Sequence, residues 1–479
     1  MKPQPATACR RPTLIAMLVC AATLSGCAAF PDRATRPEMH TLADYASQQS
    51  LAGTGCEWPM EAWWLAYGDA QLSALIDEAL AGAPNLAVAL ARQRQAEAQA
   101  QVATAATRPQ LSANGSAQQQ KQSYNYLTPR QATPQGWQDY GRATLDFSWE
   151  LDFWGKNRAG LAAATSEAEA ARAEAAQTRM VLAASIASAY AEFARLYAAL
   201  DTAQAALVVR SRTTELFQQR QVHGLETRGG VRQVESRRST AEADVLALQE
   251  QLTLQRHRLA ALAGAGPDRG RALQRPRLDL AHAYTLPANL AADLLGRRPD
   301  IAAARLRAQA AARRIDQAET AFYPNVNLLG FVGLQSLGLN LLTAGGSSIG
   351  SLGAAISLPI FDGGRLRGEL KGADAAYAEA VGSYDGTVVQ ALQEVADAAA
   401  SQQALGGQLA HTDAAVDAAR EAWRIQNNRY EGGLATYLDV LSAEDSLLAT
   451  LRTQSDLRAR GFALDVALVR ALGGGYAPI

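Results

Sequence analysis

The chain has 479 residues, 45 basic and 46 acidic side chains, five histidines and four cysteines, and a formal charge of −1. That balance is not the one a nucleic-acid-binding protein carries. Length alone suggests about three domains. After residue 27 no apolar run approaches the roughly 20 residues a transmembrane helix needs, so any membrane crossing has to rest on β-strands.

At the amino end, Lys2, Arg10 and Arg11 form a positive region, and Leu14 to Leu24 is an apolar stretch too short to span a bilayer. Leu24-Ser25-Gly26-Cys27 follows and resembles a bacterial lipobox, which implies cleavage before Cys27 and a lipid on its thiol. Three acyl chains there exceed the two signals that stable anchoring requires. Ala28 stands where, in enteric-type bacteria, an aspartate retains a lipoprotein at the inner membrane, so it favours the outer one. Cleavage removes Cys9, Cys20 and three basic residues, which leaves 42 basic against the 46 acidic side chains. With Cys27 lipidated, Cys56 has no partner for an internal disulfide, and packing must hold the fold.

Further along, the chain is one unit written twice. Pro84-Asn85-Leu86-Ala87 opens a helical stretch closed by Arg108-Pro109-Gln110-Leu111; Pro299-Asp300-Ile301-Ala302 opens another closed by Tyr323-Pro324-Asn325-Val326, at an offset of 215 throughout. Phe153-Trp154-Gly155 then matches Phe361-Asp362-Gly363 at offset 208, and Leu225 matches Leu434 at 209. Each half reads as helix, two-strand segment, very long helix, turn, helix. The change from 215 to 208 makes the stretch between Pro109 and Phe153 seven residues longer than its partner.

Two-strand segments carry the membrane signal. Leu145, Phe147, Trp149, Leu151 and Phe153 alternate with Asp146, Ser148, Glu150 and Asp152. A strand of a soluble sheet would show the same period, but carboxylates opposite aromatics favour a water-filled lumen on one side and lipid on the other. Residues 352–360 alternate likewise, 111–118 more weakly, and Leu328-Leu329 breaks the pattern over 325–334. Four strands do not close a barrel, since about eight is the minimum, so the chain must oligomerise.

The long helices are expected near 155–222 and 363–431. Neither holds a proline. Ile186, Phe193, Leu200 and Leu207 recur every seven residues, as do Val388, Val395, Leu409, Val416 and Trp423 with Gln402 in the gap. A period of seven means supercoiled packing, and about 68 residues make a rod of roughly 100 Å.

Catalytic constellations are not evident. Gly346-Ser347-Ser348-Ile349-Gly350 fits a nucleophile-elbow pattern but leads from a glycine-rich loop into a strand, the reverse of what the motif needs. His40, His223, His257, His282 and His411 lack metal-ligand spacing. His223, before Gly224, reads as a solvated residue at a helix turn. The expectation is a protein that is not an enzyme and needs no cofactor.

Three stretches carry a family resemblance: Trp63-Trp64 through Asn85-Leu86, Leu294-Leu295-Gly296-Arg297-Arg298-Pro299-Asp300-Ile301, and Arg429-Tyr430-Glu431-Gly432-Gly433 followed by Asp439-Val440-Leu441. Together with the lipobox they resemble the outer membrane factors of tripartite efflux systems, in particular the NodT-type lipoprotein branch, similar to OprM and TolC-like. The resemblance implies a mixed α/β membrane protein with four strands and long coiled-coil helices per chain. Three chains would close a 12-stranded β-barrel and a periplasmic α-helical barrel. It implies a periplasmic adaptor and an inner-membrane transporter of the RND class as partners, with drugs or other small toxic compounds as cargo. A TolC-like duct for type I protein secretion is the alternative, and a structural coiled-coil lipoprotein a more distant one. The implied division is a signal peptide over 1–26, an anchored and equatorial segment over 27–83, a first repeat over 84–270, a connection over 271–298 and a second repeat over 299–479.

By the same resemblance, Tyr430 and Asp439 match positions that line or brace the closed periplasmic tip; the alternation of the strand itself turns Asp146, Glu150 and Asp152 toward the lumen. Two departures are visible: Ala435 where some members have a bracing arginine, and Ser442 where some have a second aspartate. Glu444 and Asp445 lie close by but point elsewhere on the helix. Asp439 also reads simply as a carboxylate stabilising the amino end of the last helix.

Overall fold

The computed structural model describes residues 35–41, 44–46, 58–125, 129–277 and 296–477. The lipobox with Cys27, and Cys56, lie outside the described residues, as does most of the 271–298 connection. Two compact units form, and each draws on both halves of the chain.

Of the described residues, the first unit comprises 35–38, 95–125, 129–169 and 306–382. Its centre is a sheet of four antiparallel strands in the order β1 (Gln110–Gln120), β2 (Gln138–Glu150), β3 (Asn325–Leu337) and β4 (Ser348–Ser357). Helices feed the strands: α2 (Pro84–Ala106) ends before Pro109, and α6 (Pro299–Thr320) before Pro324. A residue preceding proline is pushed out of the helical region into extended backbone, which starts the strand. The seven-residue excess of the first half falls in the β1–β2 connection over 121–137, against 338–347 between β3 and β4.

Register resolves the ambiguous run. Phe147 lies opposite Leu111 and Gly330, Leu145 opposite Ala113 and Val332, and Leu328 opposite Trp149 and Ala354. Directly opposed residues share a face, so Leu328 and Val332 belong to the apolar side with Leu145 and Phe147. Leu329 and Phe331, opposite Ser148 and Asp146, stand on the polar side. At Gly333 the neighbouring strand is so close that a Cβ would sit 2.1 Å from the Ala143 carbonyl oxygen, and only glycine fits.

Of the described residues, the second unit comprises 39–41, 44–46, 58–94, 170–277, 296–305 and 383–477. A 3-10 turn (Trp63–Tyr67), α1 (Ala70–Gly82), α4 (Arg228–Leu262) and the short α5 (Asp268–Arg271) precede α8 (Tyr437–Ala471). The long helices α3 (Lys156–Val222) and α7 (Arg365–Glu431) contribute most of their length here. The heptad seam is the core where it is deepest: Ile186 and Phe193 of α3 are fully buried with Trp63, Tyr67, Leu72, Ile76, Leu259 and Val466. Val388 and Val395 of α7 pack with Ile301, Tyr384 and Leu468. Two pairs of buried polar groups cross this core: Tyr67 donates to Asp465 at 2.5 Å, and Tyr190 to Asp69 at 2.9 Å. Asp69 also caps α1 by accepting from the Gln71 and Leu72 amides.

Arg298 explains the Arg-Arg-Pro-Asp run. It is 3% exposed and donates to Asp300 at 2.6 Å, to Glu394 of α7 at 2.9 Å and to the Ala471 carbonyl at the end of α8 at 3.1 Å. One planar fork thus ties three helix segments, a task that suits guanidinium geometry.

Candidate functional site

Two places bear on function, one in each unit. The first is the sheet. Every residue of β1 except Gln120 is exposed, and every residue of β4 except Ile349. Leu111, Val332, Leu352 and Ile356 are each at least 62% exposed. An apolar face left open costs free energy in water in proportion to its area. An edge strand with unpaired amides and carbonyls is a template for another strand. Strands of 10 to 13 residues match the length a tilted strand needs to cross a bilayer. Among the described residues the sheet therefore has the three features of a membrane barrel segment: an apolar side, a polar side and two free edges. Among the described residues no single helix is long and apolar enough to cross a membrane.

On the polar side Asp146 accepts from Asn114 at 2.9 Å and from Thr144 at 2.7 Å. Arg142 lies over the Phe331 ring at 5.1 Å, which accommodates an aromatic among polar neighbours. Glu150 ends β2 and pairs with Lys156 at 3.1 Å. Asp152 differs from the expected strand residue. The strand stops at Glu150, and the Asp152 carboxylate accepts from the Asn157 and Arg158 amides at 3.2 and 2.9 Å, capping the start of α3. The alternation ran on past Glu150 because a capping aspartate has the same polarity as a lumen residue. Both carboxylates line a cavity of about 690 Å3 with Arg314, Gln317, Tyr323 and Arg365. Ser347, of the elbow-like motif, donates to the Leu341 carbonyl at 2.7 Å and so braces a turn.

The second place is the pair of turns that join α3 to α4 and α7 to α8. Both end in the same motif: Leu225 N–H reaches the Arg220 carbonyl at 2.8 Å, and Leu434 N–H the Arg429 carbonyl at 2.7 Å. These six-to-one bonds need a left-handed residue, supplied by Gly224 at φ +71 and Gly433 at φ +73. Leu225 and Leu434 are 68% and 74% exposed at the two turns.

Tyr430 accepts from Arg220 at 3.0 Å and meets Tyr437 edge-on at 5.3 Å; Tyr437 in turn packs against Phe217 at 4.7 Å. Tyr430 thus links the end of α7 to the end of α3. Asp439 lies in the first turn of α8 and accepts from the Thr436 amide at 2.8 Å and its hydroxyl at 2.7 Å. Those two donors, the hydroxyl foremost, hold its carboxyl below the usual range. Glu444 and Asp445 do point away from Asp439. Asp445 accepts from Arg210 at 3.0 Å and Arg237 at 2.8 Å, while Glu444 is buried beside them. Sequence reasoning missed Arg210, Arg220 and Arg237, because nothing in their own segments separates them from the many solvated arginines of these helices. Among the described residues no cluster of histidine, cysteine and carboxylate side chains is arranged to hold a metal ion.

An uncovered, two-sided sheet and duplicated long-helix hairpins define a class: membrane ducts built from β-strands and coiled coils. A model of the outer membrane efflux protein family matches residues 75–265 and 290–474. The multidrug resistance outer membrane protein MdtP of Escherichia coli K12 is 31% identical over 95% of this chain and 94% of its own. The fusaric acid resistance protein FusA of Burkholderia cepacia is 34% identical over 75% of this chain and 69% of its own. The crystal structure of the outer membrane protein VceC of Vibrio cholerae superposes with a TM-score of 0.83 at 48% identity, over 87% of this chain and all of that one. The chain belongs to the outer membrane efflux protein family. It has the TolC-like fold and is an outer-membrane efflux channel.

Proposed function

We propose that three copies of the chain form the exit duct of a tripartite pump. Each supplies four strands to one 12-stranded barrel and its long helices to one α-helical tunnel. A periplasmic adaptor and an inner-membrane RND transporter deliver the cargo, which is drugs or other small toxic compounds. The observation that carries this reading is the sheet, whose free edges and bare apolar face have no stable place in a single chain in water. The names of the relatives, multidrug resistance for MdtP and fusaric acid resistance for FusA, support the cargo class. Asp146 faces the lumen, with Glu150 at its periplasmic rim. Tyr430 and Asp439 belong to the closure of the tip. Deleting the gene should sensitise cells to small-molecule toxicants and leave protein secretion intact. Lost secretion with unchanged sensitivity would transfer the reading to a type I secretion duct.

The same proposal includes the anchor. The mature protein begins at Cys27 and carries its lipid there, and the repeats over 84–270 and 299–479 form the duct. Intact mass of the purified protein should show a lipid adduct on a chain starting at Cys27. An unmodified chain cut elsewhere would remove the anchor from the account.

A further inference from the structure

The first turns of α8 bury one stripe: Val440 and Leu441 are each 3% exposed, and Glu444 is 5% exposed. These positions are three to four residues apart and share a helix face, so a carboxylate occupies a seam position where its neighbours are aliphatic. Neither Glu444 carboxylate oxygen has a hydrogen-bond partner. The Arg210 Nε is 3.6 Å away, outside hydrogen-bond reach, and it too is unpartnered. One outer nitrogen of Arg210 and one of Arg237 go to Asp445 instead. A buried ionised carboxylate is costly unless it is both paired and hydrogen-bonded; Glu444 has the ion pair with Arg210 at 3.6 Å but no hydrogen-bond donor, so only part of that cost is offset.

We propose that Glu444 is a proton-operated latch: neutral, it holds the start of α8 against α3 and α4, and ionised, it loosens that contact. The groups facing it are Arg210 from α3, Arg237 from α4, and Tyr437 and Asp445 from α8 itself. Tyr430 at the end of α7 reaches the cluster only through Tyr437. Burial raises the Glu444 carboxyl above its ordinary value of 4.5, against the opposing pull of Arg210 and Arg237. Burial also pushes Tyr437 up to about 12, so the phenol stays neutral throughout. A cavity of about 230 Å3 adjoins the cluster, with Arg210 and Asp445 on its wall among Ala203, Ala206, Ala241 and Ala449. It offers room for water beside the charges, and alanines make up much of its wall. The sign follows from the raised acid. The extra hold is complete below the ordinary carboxylate range and is lost as pH rises through the raised value, because separation returns Glu444 to water and releases its proton.

Where the chain works as a duct, α8 is part of the tip, and the latch makes its opening easier at higher pH; that clause rests on the proposed function, the latch itself does not. The test is hydrogen exchange of residues 437–448 in the full-length protein in detergent, corrected for intrinsic rates, between about pH 5 and about pH 8. Wild-type protection should fall about tenfold for each pKa unit by which burial raises Glu444. Glu444→Gln and Glu444→Leu should be equally protected at both ends of the range. Asp445→Asn frees Arg210 and Arg237 for Glu444 and removes a like charge beside it, so the slope should flatten. A slope that survives in Glu444→Gln, or its absence in wild type, overturns the latch. In planar bilayers the open probability should rise with pH in wild type and stay low in Glu444→Gln. A sloping exchange profile with no conductance would count against the duct and leave the latch standing.

Discussion

Arg298 and Ala471 are 173 residues apart, yet the Arg298 guanidinium donates to the Ala471 carbonyl at 3.1 Å, at the point where α8 ends. The same side chain pairs with Glu394 and Asp300, so it satisfies a helix terminus and two carboxylates together. Arg298→Ala leaves that carbonyl and both carboxylates without their donor, which should cost about 3 kcal/mol of stability. Arg298→Lys should rescue little, because an ammonium does not span three acceptors in a plane. Denaturant unfolding of the two variants checks both statements; a lysine variant as stable as wild type would reduce Arg298 to a generic positive charge.

How far such features were legible depends on their range. The duplication, the long helices and three of the strand segments show in spacing alone, because period two and period seven are local properties. The start of β3 did not, since Leu328 and Leu329 are adjacent and only the register with Trp149 and Ser148 assigns one to each face. At the turn between α7 and α8, Tyr430 and Asp439 were visible through resemblance. The Arg210, Glu444 and Asp445 cluster was not, because it joins residues 235 apart and an acidic residue on a helix usually faces water. Asp152 misled for the opposite reason, as an N-terminal cap continues the polarity pattern of the strand before it.

The two faces of β2 should respond differently to charge. Phe147 shares its face with Leu111 and Gly330, and Ser148 with Gln110 and Leu329. An arginine at the midplane of a lipid-facing surface costs roughly 2–4 kcal/mol, and far less in the lumen. Phe147→Arg should therefore reduce the amount of folded protein in the outer membrane strongly, while Ser148→Arg leaves it near wild type. Equal tolerance would mean that β2 is not in a membrane.

At the α7–α8 turn, Asp439 and Tyr430 should separate into cap and brace. Asp439 is held low by Thr436, so its capping contribution is complete above the ordinary value of 3.8, fades as pH falls through the lowered one and is constant near neutrality. Asp439→Asn keeps an oxygen that accepts from Thr436 and should therefore change stability little at neutral pH. If three copies of Asp439 approach one axis, it should also lower cation preference in planar bilayers, because a ring of like charge attracts counter-ions. An unchanged reversal potential across a salt gradient would leave Asp439 as a cap alone. Tyr430→Phe removes the acceptor of Arg220 but keeps the ring on Tyr437, and should raise the open probability several-fold with no loss of protein. Unaltered gating would assign the tyrosine to packing.

The central claim is that the open edges of the sheet, β1 and β4, meet across chains. In a Cys56→Ser background, Asn114→Cys on β1 is combined in turn with Ser351→Cys, Gly353→Cys or Ala355→Cys on β4, all on the polar face of the sheet. Oxidation in isolated outer membranes should give, for at least one pair, a covalent ladder that ends at three chains and collapses on reduction. A ladder that ends at another number would contradict the trimer. Cross-linking of none of the pairs, with the protein folded and in the membrane, would contradict edge-to-edge closure and with it the barrel.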